Sequence, residues 1–319
     1  MRAIVVNAHG DSSALELAEI PDPVPGPGEV LVDVAASGVN FIDVYRREGR
    51  YRTKLPLVLG SEGAGTVTAV GQGVADVVPG DQVAWADVLG SYAEKAVIPA
   101  DKAIVLPQGV SPDLAAAVML QGLTAHYLTH STHQVKPGDD VLVHAAAGGM
   151  GLLLTQMAKL RGARVVGTVS TPEKEKLARQ AGADEVFGYD DFPERVKELT
   201  GSGAHVVYDG VGASTFEGSL ASLRPRGLLA LYGAASGPVP PFDLQRLNQA
   251  GALFVTRPSL GYYTATREEL VARADDLLGW VASGAINVHV SRRYPLAEAR
   301  QAHDDLEARR TTGKLLLIP

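Results

Sequence analysis

Residues 141–151 read Val141-Leu142-Val143-His144-Ala145-Ala146-Ala147-Gly148-Gly149-Met150-Gly151. The order is that of a buried strand, a glycine turn and the start of a helix. Glycines let backbone approach an anion, and the free N–H groups and dipole of the following helix stabilise negative charge. This is the geometry that holds a dinucleotide pyrophosphate. The spacing is Ala146-x-Gly148-x-x-Gly151, with alanine at the first position of the G-x-G-x-x-G pattern. Its weight comes from context: a strand before, a helix after, and further strand–helix units beyond.

Those units run from Asp140 to about Gly233. Strands are expected at 141–144, 163–169, 186–189, 206–208 and 228–232, and helices at 152–160, 172–180, 192–199 and 214–223. Such alternation means a parallel sheet covered on both faces. Upstream, to about Pro107, short apolar runs at 3–6, 30–34, 64–70, 82–84 and 96–98 are separated by turn signals such as Pro25-Gly26-Pro27-Gly28 and Pro79-Gly80-Asp81. That pattern predicts a mostly β domain, and its many prolines argue against long helices. A helix is expected from Pro112, with Ser111 as N-cap. A helix containing Glu268-Glu269-Leu270 and Leu277-Leu278 leads to the apolar strand Lys314-Leu315-Leu316-Leu317-Ile318, which needs a sheet to join. The expected organisation is residues 1–116 as a catalytic domain, 117–260 as a dinucleotide-binding domain, and 261–319 as a return to the first.

The 319 residues suffice for two sizeable cores. Net charge is −7, and no long basic run occurs, so nucleic acid is not an expected partner. There is no cysteine, which excludes disulfides, thiolate metal ligands and a cysteine nucleophile. Gly, Pro or charge interrupts every apolar stretch, and the N-terminus carries no leader-like apolar core; neither a membrane span nor secretion is expected, and the expected location is cytoplasmic.

The second strand of a dinucleotide fold decides the adenosine end. An Asp or Glu there binds a ribose 2′-hydroxyl. Here the strand ends in Val169-Ser170-Thr171 with no acid, Lys174 follows one helical turn later, and Tyr189 ends the next strand. A hydroxyl, a cation and a tyrosine suit a 2′-phosphate, so NADPH is the expected cofactor.

The run Gly138-Asp139-x-x-Leu142-x-x-x-Ala146-Ala147-Gly148-Gly149-x-Gly151-x-x-x-x-Gln156-x-x-Lys159 resembles the signature of the quinone oxidoreductase / zeta-crystallin family, the zinc-independent branch of the medium-chain dehydrogenases. Further matches include Ser37-Gly38-Val39-Asn40-Phe41-Ile42-Asp43, Gly60-Ser61-Glu62-Gly63-Ala64-Gly65, Gly80-Asp81-Gln82-Val83, Gly122-Leu123-Thr124-Ala125 and Val255-Thr256-Arg257-Pro258. The resemblance covers essentially the whole chain. It implies an α/β protein: a Rossmann doubly wound parallel sheet inserted into a mostly β GroES-like catalytic domain, with an active cleft between them. It implies NADPH-dependent reduction of a quinone or related electrophile, without metal, by hydride or single-electron transfer. It also implies a homodimer joined through Rossmann edge strands, for which residues 253–256 would be this chain's edge.

By position, the resemblance puts Asn40, Asp43 and Tyr45 in the loop facing nicotinamide and substrate. Thr124 and Tyr127 match the helix under the nicotinamide ribose, and Gly148, Gly149, Met150 and Gly151 the pyrophosphate turn. Ser170, Lys174 and Tyr189 match the 2′-phosphate pocket. Gly233, Ala234 and Ala235 follow the fifth strand, Phe254 and Thr256 come later at the carboxamide, and Arg309 and Lys314 form a basic pair able to reach the cofactor. The chain departs from the zinc-using branch. Ser61 stands where a ligand histidine would precede Glu62, and residues 85–92 are too short for the structural-zinc lobe.

Quinone oxygens gain negative charge as hydride arrives, so nearby donors help. Asn40 and Tyr45 are the candidate donors, with Arg257 as a long-range cation. Asp43 is a turn or cap acceptor as readily as a functional group. His126, His130 and His133 share helical spacing but no acid joins them, and His144 reads as a satisfied core histidine. An alkenal or enone reductase uses the same hydride geometry. A weakly catalytic, NADPH-binding structural or RNA-associated protein is a third reading, against which the acidic balance argues.

Overall fold

The computed structural model describes residues 1–319. The chain forms two units: residues 1–123 with 264–319, and residues 124–263. The chain passes from the first to the second at Leu123–Thr124, within a helix.

The first unit opens with β1 (Arg2–Val6), β2 (Glu16–Glu19), β3 (Glu29–Val39), helix α1 (Phe41–Arg47), β4 (Leu57–Val58), β5 (Glu62–Val70), β6 (Gln82–Ala86), β7 (Lys95–Pro99) and β8 (Ile104–Val105). Period-2 patterning builds β3: Val30, Val32 and Val34 are buried while Asp33 points to solvent. These valines pack with Val67, Val77, Val83, Trp85 and Ile98 in one apolar core. Helix α1 was not expected in this β-rich segment. Its residues favour strands, yet a capping box forms it: Asp43 Oδ2 accepts the Asn40 backbone N–H at 3.1 Å. Helix α2 (Pro112–Tyr127) starts as expected, with Ser111 Oγ accepting from the Leu114 N–H, and runs into a π-type turn at Leu128–Thr132.

The second unit alternates β9 (Asp140–Val143), α3 (Gly149–Leu160), β10 (Arg164–Thr168), α4 (Pro172–Gln180), β11 (Glu185–Phe187), α5 (Phe192–Thr200), β12 (Ala204–Asp209), α6 (Phe216–Ala221), β13 (Leu223–Leu231), α7 (Gln245–Gln249), β14 (Phe254–Thr256) and α8 (Leu260–Tyr263). Its six strands are all parallel, in the order β11-β10-β9-β12-β13-β14. This is the expected doubly wound sheet, with β14 at the edge. The helix expected at 214–223 is shorter, because Leu223 already begins β13. Close backbone packing at the centre depends on glycine: a Cβ on Gly167 would lie 2.7 Å from the Ala146 Cβ.

The chain then returns through α9 (Arg267–Ala282), β15 (Val290–Pro295), α10 (Ala299–Glu307) and β16 (Lys314–Ile318). The terminal strand sits between β15 and β3, with Leu315 opposite Val39 and Leu317 opposite Ser37. No helix is long and apolar enough to cross a membrane.

His144 is a satisfied core residue, as read from its strand. Ser219 Oγ and Thr215 Oγ1 both donate to Asp209 Oδ2 at 2.7 Å. The His144 Nε2–H therefore donates to Ser219 Oγ (2.9 Å), and Nδ1 accepts from Thr168 Oγ1 (2.8 Å). Burial lowers its pKa to about 4, with the Asp209 charge opposing. The unfolded chain takes up this proton near pH 6.5 and the folded one does not, so stability is lost as pH falls from 6.5 towards 4. Between pH 7.5 and 5 this one group should cost about 2 kcal/mol. Urea midpoints of the parent and of His144→Gln at both pH values should show the smaller drop in the variant; equal drops would refute the assignment.

Candidate functional site

In the first unit, Asn40 lies at the centre of a buried polar cluster. Its Nδ2 donates to Gly38 O (3.2 Å) and to Glu62 Oε2 (2.9 Å), and its Oδ1 accepts from Lys314 Nζ (2.7 Å) and Gln121 Nε2 (3.2 Å). Lys314 Nζ also reaches Glu62 Oε2 at 2.5 Å, and Glu62 Oε1 accepts the Leu120 N–H at 2.6 Å. Glu62 is 0% exposed and Lys314 2%. Glycine makes room for the carboxylate: a Cβ on Gly38 would lie 2.1 Å from Glu62 Oε2 and 2.6 Å from Ala116 O.

Three of the expected site residues are engaged inside the protein. Asn40 has both amide hydrogens and both lone pairs engaged within the protein, so it has no donor left for a substrate oxygen. Asp43 is fully buried: its carboxylate accepts from Ser61 Oγ, from the Asn40 N–H and from Tyr92 OH (3.2 Å), and it caps α1. Burial raises its pKa to about 6 against the pull of Ser61 and Arg46. Lys314 is an interior cation spent on Asn40 and Glu62, and does not form an outward basic pair with the exposed Arg309.

The cluster continues inward. Tyr92 OH lies 3.2 Å from His303 Nε2, and Arg47 Nη1 donates to His303 Nδ1 at 3.1 Å while pairing with Glu307. Burial, aided by Arg47, lowers the His303 pKa to about 3, which keeps the ring neutral. Tyr45 is 7% exposed and packs between Phe41 and Tyr51, with the Arg50 guanidinium 5.0 Å from its ring centroid.

In the second unit, Gly148 N-caps α3 with no side-chain cap bond. A Cβ on Gly151 would lie 2.3 Å from Ala145 O, so only glycine lets the helix start this close to the strand. Ala145 adopts φ 50°, and its N–H donates to Tyr189 OH at 3.1 Å. Thr171 caps α4, and Lys174 Nζ donates to Ser170 Oγ at 3.3 Å. The parallel register puts the ends of β9, β10 and β11 side by side, so the turn, the Ser170–Lys174 pair and Tyr189 occupy one end of the sheet. An uncapped helix start behind glycines, with a cation and hydroxyls beside it, fits a phosphorylated dinucleotide.

Tyr127 is 1% exposed and stacks on Tyr263 at 4.1 Å, and burial raises its pKa. Thr124, Met150, Gly233, Ala234, Ala235 and Thr256 are half-buried, and Phe254 is exposed on β14. The histidines do not converge: His126 stacks on His130, while His133 Nε2 bonds Asp139 Oδ2 at 3.0 Å. No group of three or more His, Cys, Asp or Glu side chains could hold a metal ion. Gln121 was missed by sequence reasoning, although it directly precedes the quoted Gly122-Leu123-Thr124 motif.

A GroES-like unit interrupted by a Rossmann unit is the organisation of the medium-chain dehydrogenases. Residues 26–108 match the alcohol dehydrogenase GroES-like domain, and residues 149–275 the domain described as zinc-binding dehydrogenase. The chain has no cysteine, and Ser61 precedes Glu62 where the zinc-using branch has a ligand histidine. Along its whole length it is similar to quinone oxidoreductase of Pseudomonas aeruginosa, at 49% identity over 98% of both chains, and to 2-haloacrylate reductase of a Burkholderia species, at 41% over 99% and 98%. Among solved structures it is similar to mycobacterial Rv1454c complexed with NADPH (53% identity, TM-score 0.98, 100% of both chains). It is equally similar in fold to Escherichia coli quinone oxidoreductase complexed with NADPH (45%, TM-score 0.98, 100% of both). The chain belongs to the quinone oxidoreductase family.

Removing the Lys314 ammonium leaves Glu62 buried and unpaired. Lys314→Met should lower unfolding free energy by roughly 3–5 kcal/mol. Adding Glu62→Gln should restore much of it, since the carboxylate then no longer needs a cation. Urea titration of the parent and both variants measures this, and a double variant no better than the single one would rule out the pairing as the cause.

Proposed function

We propose that this protein is a metal-free, cytoplasmic NADPH-dependent quinone reductase. The observation that carries this reading is full-length similarity to quinone oxidoreductases, two of its structural relatives being complexed with NADPH, joined to a 2′-phosphate-compatible strand end. NADPH would supply a hydride at its nicotinamide ring. The N–H groups of Gly149, Met150 and Gly151 would hold the pyrophosphate, and Ser170, Lys174 and Tyr189 the 2′-phosphate. Thr124, Gly233, Ala234, Ala235, Phe254, Thr256 and Arg309 are proposed along the rest of the cofactor, and Tyr45 facing the acceptor. The work of the protein is to orient the two reactants and exclude water, because a quinone is already electrophilic.

Steady-state oxidation of NADPH and NADH with 1,4-benzoquinone, 9,10-phenanthrenequinone, 2-hexenal and 2-chloroacrylate tests the reading. Fast quinone turnover with NADPH is expected. Turnover of the activated alkenes alone would instead favour the second reading, which the 2-haloacrylate reductase relative supports. Lys174→Ala should lower kcat/KM for NADPH roughly ten- to hundredfold and leave NADH use nearly unchanged, as expected for a lost charge-assisted phosphate contact.

A homodimer formed through β14 belongs to the same proposal. This strand pairs only with β13, and Phe254 and Val255 are 60% and 38% exposed on it. An exposed apolar edge is a template for strand pairing. Light scattering after size exclusion should give twice the chain mass for the parent and the chain mass for Val255→Lys.

A further inference from the structure

Ala145, which opens the glycine turn, is held from both sides. Its N–H donates to Tyr189 OH at 3.1 Å, and its carbonyl accepts the Gly148 N–H at 2.8 Å. The residue is exposed and sits at φ 50°, a left-handed conformation that a residue with a Cβ adopts only where its surroundings impose it. On one side the constraint is the first turn of α3, since the same carbonyl lies where a Cβ on Gly151 would be. On the other side it is a single phenol hydroxyl. Tyr189 lies two residues beyond β11, and β10 separates β11 from β9. Its side chain therefore spans the end of the middle strand, with its ring 6.1 Å from that of His144, and reaches the turn from the side where Ser170 and Lys174 meet. Every group in this chain of contacts belongs to the second unit.

We propose that Tyr189 couples the two phosphate sites of the cofactor: its hydroxyl holds the pyrophosphate turn through Ala145, so that a 2′-phosphate meeting the same hydroxyl also firms the turn. The inference rests on the NADPH reading above, which assigns Tyr189 to the 2′-phosphate. The chemistry of the hydroxyl makes the two contacts cooperate. Its oxygen accepts from the Ala145 N–H, so it meets an anion through its hydrogen. A hydroxyl that donates to an anion gains electron density on its oxygen and accepts more strongly. The bond to Ala145 therefore tightens when the 2′-phosphate is in place, and by reciprocity a turn held by Tyr189 favours the 2′-phosphate. Lys174 cannot play this part, because an ammonium has no acceptor with which to hold the Ala145 N–H. Tyr189 is thus a positioning residue for the turn as well as a contact for the phosphate.

The test is direct binding of NADPH and NADH, followed by fluorescence, to the parent, Tyr189→Phe and Lys174→Ala. Tyr189→Phe keeps the ring and removes only the hydroxyl. It should weaken NADH roughly two- to tenfold and NADPH by a further factor of similar size, whereas Lys174→Ala weakens NADPH alone. Glycine takes the left-handed conformation without strain, so in an Ala145→Gly background the NADH loss caused by Tyr189→Phe should largely disappear. Unchanged NADH affinity in Tyr189→Phe, equal weakening of both cofactors, or an undiminished loss in the Ala145→Gly background overturns the proposal. A second measurement needs no variant, so a Tyr189→Phe protein that fails to fold does not end the experiment. Adenosine 2′-monophosphate carries the 2′-phosphate and no pyrophosphate. At saturation it should slow amide hydrogen exchange across residues 144–148 of the parent roughly threefold or more, relative to the unliganded protein. Exchange there that the bound nucleotide leaves unchanged overturns the coupling. Failure of the parent to bind adenosine 2′-monophosphate more tightly than adenosine would overturn the underlying NADPH reading instead.

Discussion

The buried ion pair between Lys314 and Glu62 is the interaction on which the first unit depends. Two charges with almost no exposure are tolerated only because each is fully partnered. Glu62 spends one oxygen on the Leu120 N–H and the other on Lys314 and Asn40. The pair ties the start of β5 to a strand 252 residues later and, through Leu120, to α2. It also decides which way two amides point. The charge settles Asn40, and Asn40 settles Gln121.

Around this pair, residues that look chemical in the sequence are hydrogen-bonded within the protein. Asn40 and Asp43 cap α1 and knit the cluster together. Tyr92, His303 and Arg47 extend it, each hydrogen-bonded to the next. Burial holds His303 neutral, so it accepts from Arg47 without adding a second positive charge. The sheet of the second unit follows a different logic. There the determining constraint is close approach: Ala146, Gly151 and Gly167 are small because larger side chains would collide with backbone or with each other. The same closeness leaves α3 starting at a glycine with no side-chain cap.

Much of this was legible in the residues. The strand–helix alternation, the glycine turn and the terminal strand follow from periodicity and turn chemistry, which are local; the edge strand at 253–256 came only from the family resemblance. Pro172, with Thr171 before it, sets the start of α4, and the missing acid after β10 can be read without a structure. Helix α1 was not legible, since Phe41, Ile42, Val44 and Tyr45 favour strands and only the capping contact tips the balance. The hydrogen-bond partners of Asn40, Asp43 and Lys314 were not legible for a related reason. A side chain's hydrogen bonds to partners 22, 81 and 274 residues away leave no trace in its neighbours along the chain.

By itself, then, the sequence determined the two kinds of domain, the insertion of one into the other and the glycine turn after β9, because hydrophobic period and glycine placement act over a few residues. The tertiary structure alone decided which polar groups are spent and which are left over. Gly38 gives no hint that its missing side chain is the space for Glu62, and Gln121 none that its oxygen is buried without a hydrogen-bond partner. Both are consequences of a buried cation supplied by the last strand, and hydrogen-bond satisfaction becomes a definite quantity only when the partners have met.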